Sequence, residues 1–177
     1  EAINGTVLLP GDEFDFNKIV GERTPEKGYR PAATYEGGKT VQTYGGGICQ
    51  GSTTLYNCVL QADFKLVECY PHGYISSYVD PGLDASVNWG TADFRFENTS
   101  AWPIKIEAYR KNGKMTMRIY GTDEKDYYVK MSYKVVSKKD YEVIYKEIDP
   151  ANNPENYEDG EVLITPYTGY RVLTYKN

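Results

Sequence analysis

The sequence predicts an α+β fold, with one main helix packed on antiparallel β-sheet and a small β-rich C-terminal extension. Three observations lead to this prediction. Residues 49–64 have helical periodicity, residues 103–120 alternate apolar and polar side chains around an Asn-Gly pair, and the last third of the chain is rich in Tyr, Val and Lys. We therefore expect two units, a domain over residues 1–124 and an extension over residues 125–177.

The first 48 residues are expected to be extended and rich in loops. Residues 6–9 form a short strand candidate, and the Pro10-Gly11 pair that follows is a turn signal. Glycine and proline recur after it, and the stretch ends in three consecutive glycines at positions 45–47.

The helix prediction rests on the segment that follows these glycines. Its apolar residues, such as Leu55 and Val59, are spaced by one helical turn, and the segment is too long for a single strand. Residues 65–70 then resemble a strand, which leads to Pro71, His72 and Gly73.

The rest of the chain is predicted to consist of short strands and turns. Strand candidates before the hairpin are 78–79, 85–89 and 93–96. In the hairpin, Asn112-Gly113 is a strong two-residue turn signal between two alternating arms. In the extension we expect exposed strands over 127–148, a polar loop over 149–160 and a strand pair over 161–176 around Thr168-Gly169.

Composition excludes several classes of function. The net charge is −5 and no basic stripe is present, so nucleic-acid binding is not expected. No apolar run approaches the roughly 20 residues that span a bilayer. The chain begins at Glu1 without Met, so we interpret it as part of a longer protein. Any membrane contact is expected only through an anchor upstream of this sequence.

Cysteine usage argues against disulfide and metal chemistry. The three cysteines are an odd number, so a fully paired disulfide framework is not expected. The usual Cys and His spacings of zinc sites are missing, and the glycine run lacks the Lys of a phosphate-binding loop. We predict no metal and no cofactor.

The glycine run indicates a nucleophile at Cys49. A thiol at a helix N-terminus is close to free amide N–H groups and to the positive end of the helix dipole, which lower its pKa. The same amides can stabilise an oxyanion. Oxyanion or substrate contacts are predicted at Gly46, Gly47, Gln50, Ser52 and Thr53. For the polar residues after Cys49, helix capping is the alternative interpretation.

His72 is the predicted base, because it is the single histidine of the chain. A helix followed by a returning strand can bring it to Cys49. A third group often orients such a base, and Asp84 is the first candidate, with Asp93 second and Asp80 or a backbone carbonyl also plausible. Cys58 and Cys69 are expected to be small buried hydrophobes, with Cys58 facing away from Cys49.

Several motifs resemble the VanW family. In chain order they are Asn4 to Phe14, Phe16-Asn17, Val20-Gly21, Arg23-Thr24, Gly28-Tyr29, Gly45 to Gln50, Ser52 to Asn57, His72, Tyr78-Val79, Gly82, Asp84-Ala85, Asp93 and Phe96 to Asn98. The resemblance covers roughly residues 1–122, and the Gly-Gly-Gly-Ile-Cys-Gln block is its most specific part. It implies a Gram-positive, extracytoplasmic, wall-linked protein whose partners are peptidoglycan stem peptides. The extension weakly resembles a glycine-containing β-module of wall proteins.

The resemblance also implies a reaction, since some members of the family are associated with L,D-transpeptidation. Cys49 would attack the carbonyl of the third residue of a tetrapeptide stem, and D-Ala would leave. A diaminopimelate amine of a second stem would resolve the thioester and form a 3–3 cross-link. His72 would move protons, and the amides of residues 46–49 would hold the oxyanion. Cys69 departs from the pattern, where Arg is expected.

Two other functions stay open at this stage. Water and an amine compete for one thioester, so a wall peptide hydrolase with the same Cys/His pair is the first alternative. The second is a non-catalytic module that binds peptidoglycan through a surface rich in tyrosine, of which the chain has 18.

Overall fold

The computed structural model describes residues 2–36, 39–145 and 168–177. In chain order its elements are β1 (Val7–Leu8), β2 (Glu13–Asp15), α1 (Phe16–Val20), a 3-10 turn (Pro25–Lys27), β3 (Ala32–Glu36), β4 (Lys39–Thr43), α2 (Ile48–Gln61), β5 (Lys65–Glu68), β6 (Arg95–Glu97), β7 (Ile104–Lys111), β8 (Lys114–Tyr120), β9 (Met131–Lys139) and β10 (Gly169–Lys176).

The predicted fold class is wrong, because the protein is mostly β-sheet. Strands account for 38% of the structure and helices for 15%, and the described strands form four small sheets. Their orders are β1-β7-β8, β2-β6-β5, β3-β4 and β9-β10, and all pairs are antiparallel. The alternating pattern identifies a strand but not its partner, and strands of two to nine residues pair here into separate sheets.

Helix α2 and the central hairpin agree with the sequence analysis. The helix covers 14 residues and packs against β8. The hairpin turns at Asn112 and Gly113, whose φ angles of 52° and 76° match the left-handed conformation that such turns need.

The hydrophobic core lies between α2 and the small sheets. Leu55 and Val59 of the helix are fully buried, as is Ile106 of β7. Four fully buried phenylalanines from β2, α1 and the β6 region complete the core: Phe14, Phe16, Phe94 and Phe96. Because this core holds one face of α2, the first turn of the helix has a fixed place in the fold.

The N-terminal region is more regular than predicted. Helix α1 has five residues, and the Asp15 side chain caps it by accepting a hydrogen bond from the amide of Lys18 (2.7 Å). A helix this short leaves no periodic signal. Strands β3 and β4 form a further hairpin, whereas residues 78–79 lie in a turn rather than in the predicted strand.

The extension contains strands within its described residues. Strand β10 pairs with the distant β9, and the other half of the strand pair predicted around Thr168-Gly169 lies outside the described residues. The predicted loop over 149–160 and residues 161–167 lie outside the described residues. Thr174 of β10 donates a hydrogen bond to the carbonyl of Gly82 (2.9 Å). This bond joins the β9–β10 sheet to the loop before Asp84. The boundary between two units at residue 124 stays a prediction.

No helix within the described ranges is both long and apolar enough to cross a membrane.

Candidate active site

The glycine run places Cys49 in the first turn of α2. Gly47 caps the helix with a φ of 80°, a conformation that side chains disfavour. Gly46 packs so closely on β3 that a Cβ there would lie 2.1 Å from the carbonyl oxygen of Ala32. The loop therefore needs glycine at both positions, one for its conformation and one for its packing.

The Cys49 thiol lies against an extended segment that follows Asp84. Its Sγ atom is 3.5 Å from both the carbonyl oxygen and the amide nitrogen of Val87. The side chain is only partly buried, and it lines a cavity whose wall also includes His72. The thiol thus has an amide donor on one side and open space on the other.

Ser52 and Thr53 fix this extended segment to the helix. Ser52 Oγ donates a hydrogen bond to the carbonyl of Ala85 (2.6 Å), and the amide of Ala85 donates to Thr53 Oγ1 (3.1 Å). Both side chains are buried and are not part of the cavity wall. Their position supports a role in holding Asp84 and Val87 rather than the predicted contact with substrate.

Asp84 is the acid that contacts the predicted base. Its Oδ2 atom lies 2.6 Å from His72 Nδ1 and also accepts a hydrogen bond from the amide of His72 (2.6 Å). Since Nδ1 is engaged in this way, Nε2 is the ring nitrogen left to exchange a proton with Cys49.

The electrostatics of the three groups favour a thiolate–imidazolium pair. The hydrogen bonds with Asp84 and Cys49 raise the pKa of His72 to about 9. Burial acts to raise the pKa of Cys49, but hydrogen bonding with His72 and Val87 and the charge of His72 bring it below its usual value. Burial likewise opposes ionisation of Asp84, and its hydrogen bonds with His72 leave its pKa lowered. Each group therefore stabilises the charged form of its neighbour.

The other two cysteines have the opposite electrostatics. Burial raises the pKa of Cys58, and burial with the nearby charge of Asp84 raises that of Cys69 to about 11. Both side chains are partly buried rather than fully enclosed. Cys58 faces β8, where its thiol lies 3.5 Å from the carbonyl of Met117, and so points away from Cys49 as predicted.

Asp93, the second candidate for orienting the base, lies in a different place. Its Oδ1 atom accepts hydrogen bonds from the amides of Asn17 (3.0 Å) and Phe94 (2.7 Å). Burial and the hydrogen bond with Asp15 raise its pKa to about 6. Asp93 thus joins α1 to the β6 region. Asp80 accepts a backbone bond from Leu83 through its carbonyl (3.1 Å) and closes a turn.

The loop amides differ in their ability to bind an oxyanion. The amides of Gly46 and Ile48 donate to the carbonyls of Thr43 (3.1 Å) and Gly45 (3.3 Å). Within the described part of the chain, the amides of Gly47 and Cys49 have no such backbone acceptor. Gln50 is exposed and lines the cavity, where its side chain can reach a bound molecule.

The cavity has a volume of about 810 Å³. Its walls include residues that the sequence analysis did not propose, such as Arg23 near α1 and Tyr35 of β3. The ring of Tyr35 packs on that of Tyr74, with centroids 4.6 Å apart, so β3 meets the loop that follows His72. Arg23 is among the residues that resemble the family, but neither its motif nor any periodicity assigns it or Tyr35 to the site, because the fold brings them together.

A cysteine at a helix start, with a histidine and a carboxylate in line behind it, is similar to the arrangement that nucleophilic cysteine enzymes use. Residues 1–120 match the family described as "VanW like protein", and this chain belongs to that family. The resemblance seen in the sequence is thereby confirmed.

Two relatives extend this assignment. The chain is 44% identical over 123 residues to the uncharacterized protein YoaR of Bacillus subtilis (strain 168), covering 70% of this chain and 41% of that protein. It is 25% identical over 112 residues to the vancomycin B-type resistance protein VanW of Enterococcus faecalis (strain ATCC 700802 / V583), covering 60% and 40% respectively. This chain therefore spans about two fifths of each relative. No solved structure matches it.

Proposed function

We propose that this chain is a cysteine acyltransferase of the bacterial cell wall, acting as an L,D-transpeptidase on peptidoglycan stem peptides. The observation that carries the proposal is the Cys49–His72–Asp84 arrangement at the wall of an 810 Å³ cavity. The wall setting, outside the cytoplasm, is inferred from the family and from the name of the Enterococcus relative, a vancomycin resistance protein.

In the first step the Cys49 thiolate attacks the carbonyl carbon between the third and fourth residues of a stem peptide. The oxyanion forms beside the free amides of Gly47 and Cys49. The C–N bond then breaks, the leaving amine takes a proton from the His72 imidazolium, and a thioester remains on Cys49.

In the second step the amine of another stem attacks the thioester. His72, now neutral, accepts the proton of this amine, the new amide bond forms, and the C–S bond breaks. Cys49 returns as a thiolate beside a protonated His72, so the cycle closes without an external proton donor. Asp84 holds the ring throughout and stabilises its charge whenever His72 is protonated.

Intact-mass spectrometry with a muropeptide tetrapeptide tests this proposal. The native protein is expected to gain a tripeptide adduct that disappears when a diaminopimelate amine is added, with a cross-linked product of matching mass. Cys49→Ala should form no adduct. Cys58→Ala is the matched control on the same helix and should behave like the native protein.

The competing functions give different results in the same experiment. Loss of the adduct to water, with no cross-linked product in the presence of the amine, would assign a wall peptide hydrolase. Equal binding of the peptide by the native protein and Cys49→Ala, with neither adduct nor product, would overturn the catalytic proposal. The aromatic wall formed by the exposed Tyr35 and the half-buried Tyr74 would then support a binding module.

A further inference from the structure

Arg23 is a buried cation with an incomplete set of partners. Its side chain belongs to a residue that is only 8% exposed. Nη1 donates a hydrogen bond to Asn17 Oδ1 (2.7 Å), but Nε and Nη2 have no hydrogen-bond partner among the described residues. The face of the guanidinium lies over the Phe16 ring, 5.8 Å from its centroid.

Leaving such a group unpaired is unfavourable. A guanidinium taken out of water loses its hydration and normally regains hydrogen bonds from carboxylates or carbonyls. Desolvation accordingly lowers the pKa of Arg23, although Tyr29 and Asp93 oppose this shift. Asp93 does not complete the pairing: its Oδ1 atom is held by the amides of Asn17 and Phe94, and no hydrogen bond within the described residues joins it to Arg23.

The Arg23 side chain and the Cys49 thiol belong to the same cavity. Arg23 lines the same cavity as Cys49 and His72 and interacts electrostatically with the Cys49 thiol. Two unused N–H donors in a fixed fork match the two oxygens of a carboxylate. These two donors are themselves buried beside the cavity, and a carboxylate is the ligand chemistry that they fit.

We propose that Arg23 binds the free α-carboxylate of the amino acid that leaves when Cys49 is acylated. This inference rests on the acyl transfer proposed above. Only a nitrogen and a Cα separate that carboxylate from the scissile carbonyl carbon, so it stays close to the nucleophile. The side-chain carboxylate of a third-residue diaminopimelate lies at the far end of a flexible chain. Arg23 would therefore restrict the enzyme to stems that end one residue after the cleaved bond.

The native protein can test this inference without any substitution. We would measure kcat/KM for Cys49 acylation with a tetrapeptide acid, with its C-terminal carboxamide, and with the acid whose diaminopimelate side chain is amidated. The tetrapeptide acid should react about 10- to 100-fold faster than the C-terminal carboxamide, the range expected for a charge-assisted pair. The amine released from the C-terminal carboxamide is the better leaving group. Without a contact to the carboxylate, the carboxamide would therefore react faster than the acid.

The outcomes separate the two proposals. Equal rates for the acid and the C-terminal carboxamide would overturn the role of Arg23 while leaving acyl transfer intact. A loss confined to the side-chain amide would assign the carboxylate to the third residue and also overturn it. No adduct with any of the three peptides would instead count against the proposed function.

Variants sharpen the assignment to this residue. Arg23→Gln should reduce the acid-to-carboxamide ratio to about one, and Arg23→Lys should keep part of the preference. Arg30→Gln removes a nearby exposed guanidinium and should leave the ratio unchanged. The ratio compares two substrates on one preparation, so partial unfolding of a variant does not affect it. A preference that survives in Arg23→Gln would contradict the inference.

Discussion

Helix α2 carries two cysteines whose pKa values are shifted in opposite directions. Cys49 in the first turn and Cys58 in the third turn are both partly buried. The pKa of Cys49 is lowered by its contacts with His72 and Val87, although burial opposes this, whereas that of Cys58 is raised by burial. A single helix thus carries one thiol whose pKa is lowered and, farther along, one whose pKa is raised.

The difference shows that the partners of a partly buried thiol, rather than its burial, decide the direction of its pKa shift. Cys58 contacts a backbone carbonyl of β8, which does not stabilise a thiolate. Cys49 has an amide donor, a cationic ring and the start of the helix around it. Three kinds of experiment test this difference between Cys49 and Cys58.

The largest expected effect comes from removing the cation beside Cys49. His72→Gln keeps a polar side chain but cannot carry the proton, so acylation should fall by about 10²- to 10⁴-fold. In the native protein the rate should decline as the pH rises through about 9, because His72 then loses its proton. Single-turnover mass spectrometry over a pH series measures the rate loss in His72→Gln and the pH dependence of the native protein. An unchanged rate in His72→Gln would remove His72 from the mechanism.

A chemical comparison of the thiols should give a smaller but still large difference. At neutral pH, iodoacetamide should modify Cys49 at least about 100-fold faster than Cys69, whose pKa is about 11. Cys58 should also react slowly, and raising the pH should accelerate both of these thiols more than Cys49. Peptide mapping after timed quenching gives the three rates. Comparable rates at pH 7 would contradict a stabilised Cys49 thiolate.

The smallest effect is expected from Asp84→Asn. The amide keeps a similar shape but loses the charge that helps to raise the pKa of His72. The pKa of His72, followed by NMR, should fall from about 9, and acylation should slow by about tenfold. Asp80→Asn is the control, because that residue closes a turn through its backbone. A His72 pKa that does not move would show that the carboxylate has no electrostatic role.

The sequence allowed the centre of the site to be proposed but not its surroundings. Cys49 follows a glycine run whose local consequence is a helix start, and His72 is the single histidine. The contact between His72 and Asp84 is the one that was favoured, although the catalytic roles of these residues stay predictions. Arg23 is one of the residues that resemble the family, but no role could be assigned to it from the sequence, because its burial and its closeness to Cys49 and Asp93 follow from the fold.

The fold was harder to predict for a related reason. Periodicity located α2 and the β7–β8 hairpin, where the pattern is long and the Asn-Gly turn is explicit. It could not show that β5 pairs with β6, nor that β10 pairs with β9, because pairing depends on contacts between distant segments. The four sheets follow from those distant pairings.

The hydrogen bonds of Ser52 and Thr53 with Ala85 have a consequence for the stability of the site. The helix that carries Cys49 also holds the residue next to Asp84, and Asp84 in turn holds His72. The three groups are therefore assembled by one cooperative unit that includes the core residues Leu55 and Val59. Heat or denaturant would disassemble the thiol, ring and carboxylate together with the core, so inactivation would coincide with unfolding.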